Sequence, residues 1–176
     1  MMPLMPSRVR KSFLTVHVLS SVGWVGAVAA FLVLAVAGYT TSNDQFAAGL
    51  YVSLRLMTWW LIIPLSVVSL VGGVIQSLGT SWGLLRHYWV VVKLLVTTGA
   101  TALLFLHTLI IDRAATEAVA GMTGAGASAM KLQLVIDSAA ALVVLILITI
   151  LSTVKPRGIT PLGARRGPLS RSSSTQ

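Results

Sequence analysis

The sequence predicts an all-α fold: an integral membrane antiparallel four-helix bundle with both termini in the cytoplasm. Of the 176 residues, 56% are hydrophobic and only 10% are charged, which is too apolar for a soluble domain of this size. The apolar residues also form four runs of the roughly twenty residues that a helix needs to cross a bilayer. Because backbone polar groups cannot stay unpaired in hydrocarbon, these runs must be helices.

The boundaries of the helices follow from the polar residues between the apolar runs. We expect helices at about 12–39, 55–78, 88–111 and 132–154. They are joined by a polar outer loop at 40–54, a tight inner turn and an outer loop rich in Ala and Gly. The four helices form one domain, residues 1–154. The segment 155–176 has Pro, Gly, Arg and Ser but nothing to bury, so it is predicted to be a disordered basic cytoplasmic tail.

The distribution of charge predicts the orientation of the bundle. The formal net charge is +9, and one side of the predicted membrane carries nine cations and no anion: Arg8, Arg10, Lys11, Arg86, Lys155, Arg157, Arg165, Arg166 and Arg171. The other side mixes three cations with all four acidic residues. The positive-inside rule therefore places both termini in the cytoplasm. We interpret the basic excess as a topology signal that acts at the lipid bilayer, and we expect no nucleic-acid partner.

Several classes of chemistry have no support in the sequence. The chain has no cysteine, which excludes disulfides, thiolate metal sites and thiol catalysis. No nucleophile with a base and an orienting group can be recognised, and there is no glycine-rich phosphate loop. Hydrolase and kinase activities are therefore not indicated, and whether the protein is an enzyme stays open.

Candidate functional residues are the polar groups within the apolar runs, since a central lysine costs about 2.5–3.5 kcal/mol on insertion scales. They separate into two groups by depth. The inner layer comprises His17, Gln76 and Lys93, and the outer polar cluster comprises Arg55, His107 and Asp137. His87, beside Arg86, is interpreted as an ordinary interfacial histidine.

Helical phase connects the inner layer with a deep tryptophan. His17 and Trp24 are seven residues apart and share one helix face. His17 and Lys93 lie at similar distances from their flanking cations, so we expect both to face the interior at one depth. Two alternatives stay open: Lys93 can extend its amine to the interface, and His107 and Asp137 can form a purely structural hydrogen bond.

A short signature at the start of the first helix resembles a known group of proteins. His17-Val-Leu-Ser-Ser-Val-Gly-Trp24-Val-Gly26 is similar to the H-x₆₋₇-W-x-G signature of small bacterial membrane proteins. These are the copper-resistance D family, the membrane protoporphyrinogen oxidases and a related uncharacterised group. Trp89, Lys93-Leu94 and His107 resemble their third-helix pattern. The oxidases also carry a histidine shortly before the lysine, where this chain has Val90, Val91 and Val92.

The resemblance implies a multi-pass protein of the bacterial plasma membrane that binds haem or a similar redox cofactor in its cytoplasmic half. His17 would be the metal ligand, and Trp24 and Lys93 would match the tryptophan and the lysine of this group. Gln76 joins the candidate cofactor site because it ends the second helix near the same level. Two alternatives remain: a non-catalytic membrane subunit, packed against a partner or a second copy, and a small transporter-like protein for a metal or another solute. The absence of cysteine argues against copper(I), which prefers sulfur ligands.

Overall fold

The computed structural model describes residues 6–78, 88–121 and 124–154, and these residues are all-helical. The first span is α1 (Ser7–Thr40). The second comprises α2 (Asp44–Met57), a π-helical turn (Thr58–Ile62) and α3 (Ile63–Leu78). The third and fourth are α4 (Tyr88–Val119) and α5 (Ala125–Val154). Within the described ranges, four helical spans are long and apolar enough to cross a membrane, as the sequence predicts.

The second span begins earlier than the sequence suggests, since α2 occupies most of the predicted polar loop at 40–54. The side chain of Asn43 accepts a hydrogen bond of 2.9 Å from the backbone N–H of Phe46, and Asp44 lies in the first turn. Both features stabilise a helix start, because they satisfy free N–H groups and the positive end of the helix dipole. The polar residues at 42–44 therefore form a helix cap rather than a loop.

The other spans are also longer than their apolar runs. α4 continues past Ile111 through an alanine-rich turn to Val119, and the chain then turns at Gly121, whose φ is +66°. That left-handed backbone conformation favours glycine after a helix. The π-helical turn ends two residues before Pro64, and the Ile63 N–H donates to the Thr58 carbonyl five residues back. Proline lacks an N–H and crowds the carbonyl four residues before it, so the wider turn accommodates it.

Each span packs against two others, so the four spans form a closed ring. α1 lies against α2, α3 and α5, and α4 lies against α2, α3 and α5. The most deeply buried side chains, with at most 1% of their surface exposed, are those of Ala35, Tyr51, Leu54, Thr58, Ser66 and Ala115 among the described residues. Large apolar side chains cover the outside of the ring, which is the arrangement expected of a surface in contact with lipid.

Two predicted features fall outside the described residues. These are the basic tail at 155–176 and the inner turn at 79–87, which includes His87.

Candidate functional site

His17 packs tightly against α3. Its Nδ1 lies 2.9 Å from the carbonyl oxygen of Ser69, and because a carbonyl can only accept, Nδ1 carries the hydrogen and donates it. A Cβ added to Gly72 would lie 3.2 Å from the Cβ of His17, and one added to Gly73 would lie 3.2 Å from Cε1. The two glycines therefore form a flat surface that lets the imidazole approach the α3 backbone closely.

Serine hydroxyls fix the same contact between α1 and α3. The hydroxyl of Ser21 donates to the His17 carbonyl at 2.7 Å and lies 2.7 Å from the hydroxyl of Ser69. Since Ser21 has used its only hydrogen, Ser69 donates to Ser21. Ser20 also donates to the His17 carbonyl, at 3.0 Å. The backbone and the ring of His17 are thus both hydrogen-bonded, which limits the orientations open to the imidazole.

The bond from Nδ1 determines the chemistry of the other ring nitrogen. A neutral imidazole with its hydrogen on Nδ1 keeps a lone pair on Nε2. In the described part of the chain, Nε2 of His17 has no hydrogen-bond partner, and the only buried polar side-chain atoms without a partner are the hydroxyls of Tyr51 and Thr101. Nε2 is therefore accessible from outside the packed interior. It can accept a hydrogen bond or bind a metal.

The other predicted members of the inner layer have partners of their own. Trp24 is buried, with 4% of its surface exposed, two helical turns deeper than His17. Gln76 donates to the Arg10 carbonyl at 3.4 Å, which links the ends of α3 and α1. Neither side chain is hydrogen-bonded to His17. Their membership of a cofactor site stays a prediction.

Lys93 is directed at a neighbouring helix. Its Nζ donates to the hydroxyl of Ser152 on α5 at 3.0 Å, and the side chain is partly buried. No hydrogen bond joins Lys93 to His17 directly. The prediction that both residues serve one ligand therefore rests on their similar depth alone.

The outer polar cluster divides into a bonded pair and a separate cation. His107 Nε2 lies 2.8 Å from Asp137 Oδ2, and Nδ1 of the same ring lies 2.8 Å from the Leu103 carbonyl. This pair joins α4 to α5. Within the described ranges Arg55 forms no hydrogen bond or ion pair with either residue. The structure thus brings His107 and Asp137 together and leaves Arg55 outside the pair.

Several residues that shape the site were not identified from the sequence. The Ser69 carbonyl is a backbone group, which no side-chain pattern marks. Gly72 and Gly73 are small residues that suit close helix packing, but the sequence does not indicate that an imidazole lies on them. Ser152, the partner of Lys93, lies 59 residues away along the chain. The only signal in the sequence for the close contact between α1 and α3 is the pair of adjacent small residues on α3.

These features define an all-helical protein whose four spans suit a multi-pass membrane protein. Among the described residues, no group of three or more His, Cys, Asp or Glu side chains could hold a metal ion together. Comparison with protein-family models, curated proteins and solved structures found no match to the chain.

Proposed function

We propose that this protein is an antiparallel four-helix membrane protein that binds haem, or a similarly flat and partly anionic redox cofactor, through His17 in the half next to its termini. The observation that carries the proposal is the hydrogen bond from His17 Nδ1 to the Ser69 carbonyl. Histidines that bind metals commonly donate their second ring nitrogen to a carbonyl or carboxylate, which orients the ring and raises the basicity of the ligating nitrogen.

The residues of the inner layer suit both the metal and the carboxylate groups of such a cofactor. Nε2 of His17 is a neutral nitrogen ligand, and the two glycines with the Ser69 carbonyl hold its ring in place. Lys93 is a cation near the same layer, and it could bond a carboxylate that is costly to bury alone. A bound haem would supply one-electron redox chemistry. Trp24 is buried two helical turns deeper than His17, and in this proposal it would bound the cofactor on the side of the bundle centre.

The number of histidines near the inner layer indicates how many ligands one chain would offer to the cofactor. His17 is the only histidine of the inner layer within the described ranges, since His107 is bonded to Asp137 on the other side. Each chain would therefore supply one histidine, His17, to hold the cofactor. A second copy of the chain, or another membrane subunit, would supply any further ligand. Homo-oligomerisation is thus part of the proposal.

Contacts between the helices support the antiparallel arrangement. The start of α1 lies beside the end of the second span: Gln76 bonds to Arg10, and His17 bonds to Ser69. The same reversal relates α4 to α5: Lys93 bonds to Ser152, and His107 bonds to Asp137. Together with the nine cations at the termini and the inner turn, this order supports cytoplasmic termini. The proteins whose signature the start of α1 resembles are bacterial membrane proteins. This resemblance supports the plasma membrane as the location.

Absorbance spectra test the cofactor proposal. The full chain and its His17→Ala variant would be purified in detergent from a haem-sufficient host, with His107→Ala as the matched control. We expect a Soret band in the wild type and in His107→Ala, and at least a tenfold weaker band in His17→Ala. A wild type without a Soret band, or a band that survives the loss of His17, would contradict the proposal and favour the membrane-subunit alternative.

A further inference from the structure

His107 and Asp137 form a hydrogen-bonded pair that the proposed cofactor site does not use. Nε2 of His107 lies 2.8 Å from Oδ2 of Asp137, and Nδ1 of the same ring lies 2.8 Å from the carbonyl oxygen of Leu103. Both distances are typical of hydrogen bonds. Each nitrogen of one imidazole therefore contacts an oxygen atom, and the carbonyl oxygen at Nδ1 can only accept a hydrogen.

These two contacts fix the number of protons on the pair. Nδ1 must carry a hydrogen, because its partner is a carbonyl. A second hydrogen must lie between Nε2 and the carboxylate oxygen, either on an imidazolium or on a carboxylic acid. A neutral imidazole beside an ionised carboxylate has only one hydrogen for both contacts, so one contact would oppose two lone pairs. The geometry therefore requires one proton more than a neutral histidine and a carboxylate hold.

The pair lies within the apolar runs of α4 and α5, in the half of the bundle opposite the chain termini. The nearest charged residues along the two helices are Asp112, five residues after His107, and Lys131, six residues before Asp137. At about 1.5 Å per residue, the pair lies about 7–9 Å deeper than these charges. An unpaired carboxylate at that depth is costly, whereas the additional proton makes the pair neutral overall.

The pair has no third charged partner among the described residues. On the helices packed around it, α3 has no ionisable side chain. The ionisable residues of the other helices in this half are Tyr39, Asp44, Tyr51, Arg55, Asp112, Arg113, Glu117 and Lys131. Within the described ranges, none of them forms a hydrogen bond or an ion pair with either member. The side chains of His107 and Asp137 are 20% and 35% exposed, so the proton between them is not sealed inside the bundle.

We propose that His107 and Asp137 form a proton-binding site, which takes up and releases one proton on the side of the membrane opposite the termini. The structure contains the protonated form, in which the proton neutralises the carboxylate and joins α4 to α5. When the proton leaves, the single remaining hydrogen can serve Asp137 or the Leu103 carbonyl, so one of the two bonds is lost. The site is independent of the proposed cofactor, because its hydrogen bonds involve no residue of the inner layer.

Unfolding equilibria at different pH values test the assignment. The full chain and its Asp137→Asn variant would be unfolded in mixed micelles from about pH 5 to about pH 9, a range that brackets the usual titration of histidine. An asparagine amide can donate to Nε2 of a neutral imidazole, so this variant keeps both bonds without the additional proton. Where free histidine is neutral, the folded wild type holds one proton more than the unfolded chain. Its stability must therefore fall as the pH rises.

We expect the folding equilibrium constant of the wild type, relative to that of Asp137→Asn, to fall at least about fivefold across this range, which corresponds to about 1 kcal/mol. The matched control is Asp44→Asn, because Asp44 is an exposed carboxylate of the same half that has no bond to a histidine. The ratio of the wild type to this control should not change with pH. A ratio of wild type to Asp137→Asn that also stays constant would overturn the assignment.

Nitrogen NMR of the histidine-labelled wild type gives a second readout, which does not depend on the stability of Asp137→Asn. The chain has three histidines, and the signals of His107 are those that His107→Ala removes. We expect a hydrogen on Nδ1 and a hydrogen bond at Nε2 at the acidic end of the range. A neutral His107 with its only hydrogen on Nε2 throughout the range would contradict the proposal, because the pair would then lack the additional proton.

Discussion

The imidazole of His17 rests on Gly72 and Gly73, and this contact sets the distance between α1 and α3. A Cβ at Gly72 would meet both the side chain and the Cα of His17, at 3.2 and 3.5 Å. The 3.2 Å contact with the Cβ of His17 is tighter than an ordinary contact, and that Cβ is fixed to the backbone and cannot rotate away. An added Cβ at Gly72 therefore requires α1 and α3 to shift by a few tenths of an ångström, which also strains the bond between His17 and Ser69.

We expect Gly72→Ala to destabilise the protein by about 1–3 kcal/mol, the usual cost of overpacking a close contact. The matched control is Gly26→Ala on α1, where an added Cβ has no neighbour within 4 Å. Alanine should stabilise that position by up to about 1 kcal/mol, because it is the better helix former. Reversible unfolding in mixed micelles measures both free energies. Equal effects of the two substitutions would show that the glycine contact is unimportant.

The helices α4 and α5 are joined by hydrogen bonds at two levels, one near each end of the pair. Lys93 bonds to Ser152 in the half next to the chain termini, and His107 bonds to Asp137 in the opposite half. Within α4, a hydrogen bond also connects the His107 ring to the Leu103 carbonyl, so the imidazole is fixed on two sides. Such a ring is well placed to define the register of the two helices.

A double-mutant cycle measures the bond between α4 and α5. We expect His107→Ala and Asp137→Ala to be coupled by about 1 kcal/mol, the usual range for polar pairs in membrane proteins. A cycle of His107→Ala with Arg55→Ala is the control, and its effects should add within about 0.5 kcal/mol, since those residues share no contact. If the first cycle is also additive, the bond does not hold the helices together.

Prediction from sequence succeeded for the spans and failed for their ends and their contacts. Hydropathy identifies the four spans because a bilayer imposes length and apolarity on each helix separately. The start of α2 was missed because Asn43 and Asp44 suit both a loop and a helix cap. The bond from His17 to Ser69 and that from Lys93 to Ser152 depend on how distant segments pack, which local patterns do not encode. The His107–Asp137 bond was one of two open alternatives, and the structure contains it.

The orientation of the whole molecule can be tested with single cysteines, because the chain contains none. Asp44→Cys lies in the exposed first turn of α2, and Ser7→Cys is the matched control in the exposed first turn of α1. We expect a membrane-impermeant maleimide to label Asp44→Cys in intact cells and Ser7→Cys only after permeabilisation. The reverse pattern would place the termini outside the cell and would contradict the positive-inside interpretation.

The membrane-spanning runs differ in length, and this difference affects how the protein fits its membrane. α1 has 29 residues without a charge at 12–40, whereas the apolar run of α4 at 88–111 has 24 residues and contains Lys93. The difference is about 7 Å in helix length, and one bilayer cannot match both lengths. The membrane must thicken around α1, the bundle must tilt, or the end of α1 must rise into the head groups. The hydrophobic mismatch is therefore asymmetric around the ring, and the protein should favour membranes of a particular thickness.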